Sequence, residues 1–98
     1  MAKKVDITEK LEFDSNPFLV IRGKEYEVNA DAETVLKILG ILGAEGTGPS
    51  AITKMYELIF PEKERKVIEK LKLQFKDFKK VVENAIDLII GEEENKGE

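Results

Sequence analysis

The chain has 98 residues, which is enough for one domain with a single modest core. It contains no cysteine and no histidine, so disulfides, thiolate nucleophiles and imidazole acid–base chemistry are excluded. The formal net charge of −4 argues against a protein that chiefly binds phosphate backbones, and no apolar run is long enough to span a bilayer. We therefore expect a cytoplasmic protein with neither a nucleic-acid nor a membrane partner.

Residues 1–17 are predicted to form an N-terminal arm or an edge strand that precedes a single helical domain at 18–91. Apolar and polar residues alternate loosely from Val5 to Phe13, as they do in a half-exposed strand. Residues 14–17 combine aspartate, serine, asparagine and proline, which is a dense turn signal.

Two β-rich runs flank Gly23 and Lys24 and predict a β-hairpin over residues 18–28. Glycine at the first turn position favours a type II′ turn. In the resulting register the apolar side chains share one face, which must lie on the helices because an isolated hairpin is only marginally stable. The predicted pairs are Arg22 with Glu25, Ile21 with Tyr26, and Leu19 with Val28.

Residues 35–42 are predicted to form a helix that is buried on most sides, with Asp31 as its N-cap. Lys37 is its only charged residue. Gly40 lies inside it at a cost of about 1 kcal/mol relative to alanine, which indicates either close packing or an early end. The apolar residues of the segment are Val35, Leu36, Ile38, Leu39, Ile41 and Leu42.

Residues 44–49 are predicted to form a loop, and Ser50 is a candidate N-cap for a second helix. Pro61 ends that helix and can begin a third one over residues 61–72, with acidic residues first and lysines last. The buried stripe of the second helix comprises Ile52, Met55, Tyr56 and Ile59, and that of the third comprises Val67, Ile68 and Leu71.

The segment 75–90 is predicted to form the last helix, which is amphipathic and around which the rest of the chain is built. Gly91 is placed to end it with a left-handed cap, and residues 92–98 are predicted to form a disordered acidic tail. The apolar stripes of 61–72 and 75–90 remain in phase, which favours one continuous helix. The alternation around Leu73 favours a break, and we predict the break.

No pattern in the sequence predicts catalysis, a cofactor or a metal site. Residues 43–50 match the P-loop pattern except that Pro49 replaces the lysine that contacts the phosphates, so a helix connector is the better interpretation. Asn29, Asp31 and Glu33 alternate like calcium ligands, but the glycine and the distal glutamate of an EF-hand loop are missing. We predict that the protein is not an enzyme.

The wide apolar stripes on 35–42 and 75–90 are the one feature of the sequence that points to a function. Their simplest explanation is an intramolecular core, and the alternative is that one flank of a helix binds another chain. Self-association through either helix follows from the second interpretation. The candidate interaction residues are Leu36, Ile38, Ile41, Phe75, Phe78, Val81 and Leu88.

Several strings resemble the small tail assembly chaperones of long-tailed bacteriophages and prophages. They are GKEYEV, ETVLKILGIL, YELIFPEKERKVIEKL and LKLQFKDFKKVVENAIDLIIG, and together they extend over roughly residues 18–91. The string at 73–78 resembles a loop that leads into the last helix of that family, which adds weight to the predicted break.

The resemblance implies a mainly α fold with a small N-terminal β-hairpin (α+β), with about four helices packed on the hairpin. It also implies a homo-oligomer in the host cytoplasm that binds the tape-measure protein, assists assembly with the tail tube protein and is absent from the mature virion. Two other hypotheses remain open. One is a helical adaptor or regulatory protein with one folded partner, and the other is a nucleotide-binding module built on residues 43–50.

Overall fold

The computed structural model describes residues 2–91, which contain four α-helices and one antiparallel β-hairpin. The predicted mainly α fold with a small N-terminal hairpin is confirmed. A single 3-10 turn precedes the hairpin. The elements are the 3-10 turn Thr8–Lys10, β1 Phe18–Ile21, β2 Lys24–Glu27, α1 Ala32–Glu45, α2 Pro49–Ile59, α3 Glu62–Lys70 and α4 Phe75–Ile90.

The core is built around α2, which packs against both α1 and α4. Five residues of this eleven-residue helix are buried, at the spacing that places them on one face. The hairpin contributes Tyr26 and Val28, and α4 contributes Val82, Ala85, Ile86 and Ile89. The buried residues of α2 are Ala51, Ile52, Met55, Tyr56 and Ile59.

The hairpin lies where it was predicted, but the predicted turn and register are wrong. The turn residues are Arg22 and Gly23, with φ of 53° and 78°, and positive φ at both positions is the signature of a type I′ turn. A type II′ turn would instead begin at Gly23. The strand pairs are Phe18 with Glu27, Leu19 with Tyr26, Val20 with Glu25, and Ile21 with Lys24.

The helix α1 is longer and more exposed than predicted. It continues through Gly40 to Glu45, and a Cβ added at Gly40 would meet nothing within 4 Å. Both explanations offered for this glycine, close packing and an early end, are therefore wrong within the described chain. The helix is not buried on most sides either, because Ile38 is its only fully buried residue.

The connection between α1 and α2 is also shorter than predicted. Gly48 rather than Ser50 is the N-cap of α2, and Pro49 occupies its first turn, where the missing N–H costs nothing. Residues 43–45 are helical. The eight residues that resemble a P-loop are thus divided between two helices and do not form one phosphate-binding loop.

The junction between α2 and α3 is held by Arg65. Its Nη1 donates to the carbonyl oxygens of Phe60 at 2.6 Å and Glu57 at 3.1 Å. A cation at the end of a helix satisfies free carbonyl groups and complements the helix dipole. Glu62 and Glu64 occupy the first turn of α3, as predicted.

The predicted break between the last two helices is confirmed. The helix α3 ends at Lys70, Lys72 adopts a φ of 55°, and α4 begins at Phe75. Gly91 forms the predicted left-handed cap, with φ 80° and ψ 54°. The acidic tail predicted for residues 92–98 lies outside the described residues.

The arm contains no strand between residues 2 and 17, only the 3-10 turn. Residues 2–15 are all exposed. The chain joins the domain at Asn16, whose side chain donates to Glu27 at 2.9 Å and accepts from the backbone N–H of Ala30 at 3.2 Å. The carbonyl of Pro17 then accepts from Val28 N–H.

Candidate protein-binding surface

One side of α1 carries apolar residues that no part of the described chain covers. Leu36 is 67% exposed and Leu39 is 46% exposed. Gly40 and Gly43 follow at spacings that place all four on the same side of the helix. We call this set of four residues, Leu36, Leu39, Gly40 and Gly43, the outer face of α1.

The outer face is presented by a helix that is fixed at its start and along its inner side. The Asp31 carboxylate accepts from Thr34 N–H at 3.2 Å and from the Thr34 hydroxyl at 2.8 Å. These hydrogen bonds hold the pKa of Asp31 below its usual value. On the inner side, Ile38 is completely buried in the core. The direction of the outer face is therefore set by both the cap and the core.

The two glycines of the outer face have no packing role inside the chain. A Cβ added at Gly40 or Gly43 would find nothing within 4 Å. Glycine in a helix interior costs about 0.5–1 kcal/mol relative to alanine, and no contact within the domain offsets that cost. A surface without side chains does allow a second backbone to approach closely.

The outer face is also nearly free of charge. Lys37 forms an ion pair with Glu33 at 3.4 Å beside Leu36. The next charged residue is Glu45, at the last position of the helix, and it pairs with Lys54 of α2 at 2.6 Å. Residues 38–44 therefore form an uncharged stretch two turns long, so apolar burial is the interaction that this surface can provide.

A second apolar surface lies where α2 and α3 meet the start of α4. A cleft of about 470 Å³ is lined by both apolar and charged residues. Its floor includes Tyr56, whose ring meets the Phe78 ring edge-on at a centroid distance of 4.8 Å. Phe75 extends this aromatic series to the surface and is 49% exposed. The remaining lining residues are Thr53, Glu57, Ile68, Glu69, Lys72 and Leu73.

The Tyr56 hydroxyl holds the aromatic ring in place within this cleft. It donates to the carbonyl of Arg65 at 3.2 Å. Burial, followed by the nearby Glu69 carboxylate, raises the pKa of Tyr56 to about 12. The hydroxyl therefore stays protonated at neutral pH, and its hydrogen bond fixes the ring as part of the cleft floor.

The predicted interaction residues do not share one environment. Leu36, Phe75 and Leu88 are exposed, whereas Ile41, Phe78 and Val81 are half-buried. Ile38 is fully buried, so its assignment to an interaction surface is wrong: it is the core contact of the same helix that exposes Leu36.

The prediction missed Leu39, Gly40 and Gly43 as members of the surface. The unusual glycines in an otherwise apolar helix were the available signal, because helix interiors disfavour glycine unless something requires it. In residues 2–91, no three potential metal-binding side chains come together, and no helix has the length and apolar character needed to cross a membrane.

No protein-family model matches the chain, and no curated protein or solved structure is significantly similar to it.

Proposed function

We propose that this protein is a phage tail assembly chaperone that binds amphipathic helical segments of the tape-measure protein through the outer face of α1. The observation that carries the proposal is the exposure of Leu36 and Leu39 beside two glycines whose Cβ positions are empty. The strings that resemble tail assembly chaperones provide the second support.

Helix-on-helix packing is the form of binding that this surface fits. A client helix with a continuous apolar stripe can bury Leu36 and Leu39, and burial of a leucine contributes about 1.5–3 kcal/mol. Because Gly40 and Gly43 carry no side chains, the client can approach the backbone of α1 closely. Such a contact needs few sequence-specific polar groups, which suits a long client with many similar helical segments.

The charge of the chain fits the same role. Each bound copy brings a net charge of −4, so client molecules coated with this protein are all negatively charged and repel one another while their apolar stripes are covered. We propose that the tail tube protein later displaces the chaperone, since it must occupy the surface of the tape-measure protein during tail assembly.

The direct cellular test is co-expression with a tape-measure protein, with soluble client as the measured quantity. Wild type and the matched control Leu11→Glu should keep the client soluble. The double variant Leu36→Glu, Leu39→Glu should lose most of that effect while remaining folded, because both residues are exposed. A client that is equally soluble without this protein, or with the double variant, would contradict the proposal.

A helical adaptor with one folded partner is the second candidate, and the aromatic cleft favours it. A cleft with an aromatic floor and a charged rim suits one anchoring side chain of a specific partner. In that case Phe75→Glu would abolish binding, and the double variant on α1 would not.

A further inference from the structure

We propose that the N-terminal arm, residues 2–15, of one copy adds a strand to the free edge of β1 in a second copy, and that the two copies exchange arms reciprocally. This contact differs from the helix surfaces, 35–42 and 75–90, for which the sequence predicted self-association. It also does not depend on client binding.

The arm carries four large apolar residues that the domain does not cover. Val5 and Phe13 are 79% and 77% exposed, and Ile7 and Leu11 are 47% and 49% exposed. Every hydrogen bond that the described chain gives to residues 2–15 has its partner within the arm itself. The four residues form two pairs with period-2 spacing, which is the pattern of a strand that lacks a sheet.

The free edge belongs to β1. Ile21 and Lys24 flank the two-residue turn and form a hydrogen-bonded pair, so hydrogen-bonded and non-hydrogen-bonded pairs alternate from there. The N–H and C=O groups of Phe18 and Val20 consequently point away from β2. The outer edge of β2 is partly blocked, since Glu27 N–H donates to the Glu64 carboxylate of α3 at 2.8 Å. The edge of β1 is therefore the better place for an added strand.

A groove lies beside this edge, between β1 and α4. Its volume is about 270 Å³, and it can receive the side chains that an added strand directs towards the helix. Asp6 and Glu12, which alternate with the apolar residues of the arm, would point to the opposite face of the added strand, away from the groove. The groove is lined by Leu19, Val20, Ile21, Lys80, Val81 and Asn84.

The geometry favours the arm of a second copy over the chain's own arm. The two hydrogen bonds of Asn16 hold the base of the arm beside Ala30 and Glu27, and residues 2–15 before it are exposed. Phe13 adopts a φ of 54°, which a bulky side chain disfavours. If the arm paired as a strand on a neighbouring copy, Phe13 would adopt a negative φ. In a reciprocal exchange each arm would cover the free β1 edge of the other copy, which gives a closed dimer.

The first test measures mass in solution over a concentration series by sedimentation equilibrium. Wild type should approach twice its 11.1 kDa. Leu11→Glu with Phe13→Glu should weaken association about tenfold or more, since two apolar side chains are lost from the contact. Val20→Pro should do the same, because it removes an outward N–H without removing a bond to β2. The matched control Leu36→Glu should associate like wild type.

The second test mixes the arm variant with Val20→Pro. The first has an intact edge and the second an intact arm, so the mixture should form a heterodimer that neither variant forms as a homodimer. Circular dichroism and thermal unfolding of each variant establish that it is folded. A monomeric wild type at several hundred micromolar, or variants that associate like wild type, would overturn the proposal. So would a monomer whose Val20 amide is protected from hydrogen exchange, because its own arm would then occupy the edge.

Failure of the arm exchange can be distinguished from failure of the proposed client binding. Leu36→Glu should weaken client binding and leave the dimer unchanged, whereas the arm variant should weaken the dimer and leave client binding unchanged. Loss of both activities in either variant would contradict the separation of the two surfaces.

Discussion

At the residue scale, the conformation of two turn residues determines the register of the hairpin. Arg22 and Gly23 both adopt positive φ, although only glycine does so without steric cost. The turn is therefore formed by one suitable and one unsuitable residue, and the rest of the hairpin compensates for Arg22.

This conformation predicts opposite effects of two substitutions in the turn. Gly23→Val should lower the free energy of unfolding by about 1–2 kcal/mol, because valine disfavours positive φ. Arg22→Asn should raise it by about 0.5–1 kcal/mol, since Asn-Gly is the preferred type I′ pair. Urea unfolding of both variants measures these changes, and a stabilising Gly23→Val would be inconsistent with the observed turn.

The register itself could not be predicted from the strand pattern. A slip of two residues leaves the same side chains on the same face, and Leu19, Ile21, Tyr26 and Val28 do share the inward side in either register. Alternation therefore identifies the buried face but not the partner of each residue. The turn type decides the partner of each residue, and nothing in the sequence indicates that Arg22 adopts a positive φ.

At the element scale, α1 is the helix for which sequence and structure differ most. Periodicity shows which residues share a side of a helix, but not whether the protein covers that side. The stripe of α2 was assigned correctly because the opposite side of that helix is polar. In α1 nearly every side is apolar, so Ile38 and Leu36 looked equivalent, yet one is buried and the other is exposed.

The glycines of α1 give a prediction in which stability and binding change in opposite directions. Gly40→Ala and Gly43→Ala should each raise the free energy of unfolding by about 0.5–1 kcal/mol, because the added methyl group meets open space. Both should weaken client binding, since a Cβ holds the client helix away from the backbone.

Thermal unfolding and client titration of the same variants provide the two measurements. Alanine variants that gain stability and bind the client as tightly as wild type would show that close approach is not part of the contact.

At the scale of the whole molecule, the chain presents apolar surface at separate places. The outer face of α1 lies on the helical domain, and the arm extends from the hairpin end of that domain at Asn16. We propose that these two separate sites serve two different contacts, one with a client and one with a second copy.

The most direct measurement of the central claim is an amide chemical-shift titration of the full chain with a synthetic amphipathic helix of about twenty residues from a tape-measure protein, long enough to form several turns. We expect saturable shifts centred on residues 36–43, with Leu36→Glu raising the Kd about tenfold or more, since burial of one leucine is lost and a charge is placed in the contact. Shifts centred on the aromatic cleft or on β1, with residues 36–43 unmoved, would contradict the claim.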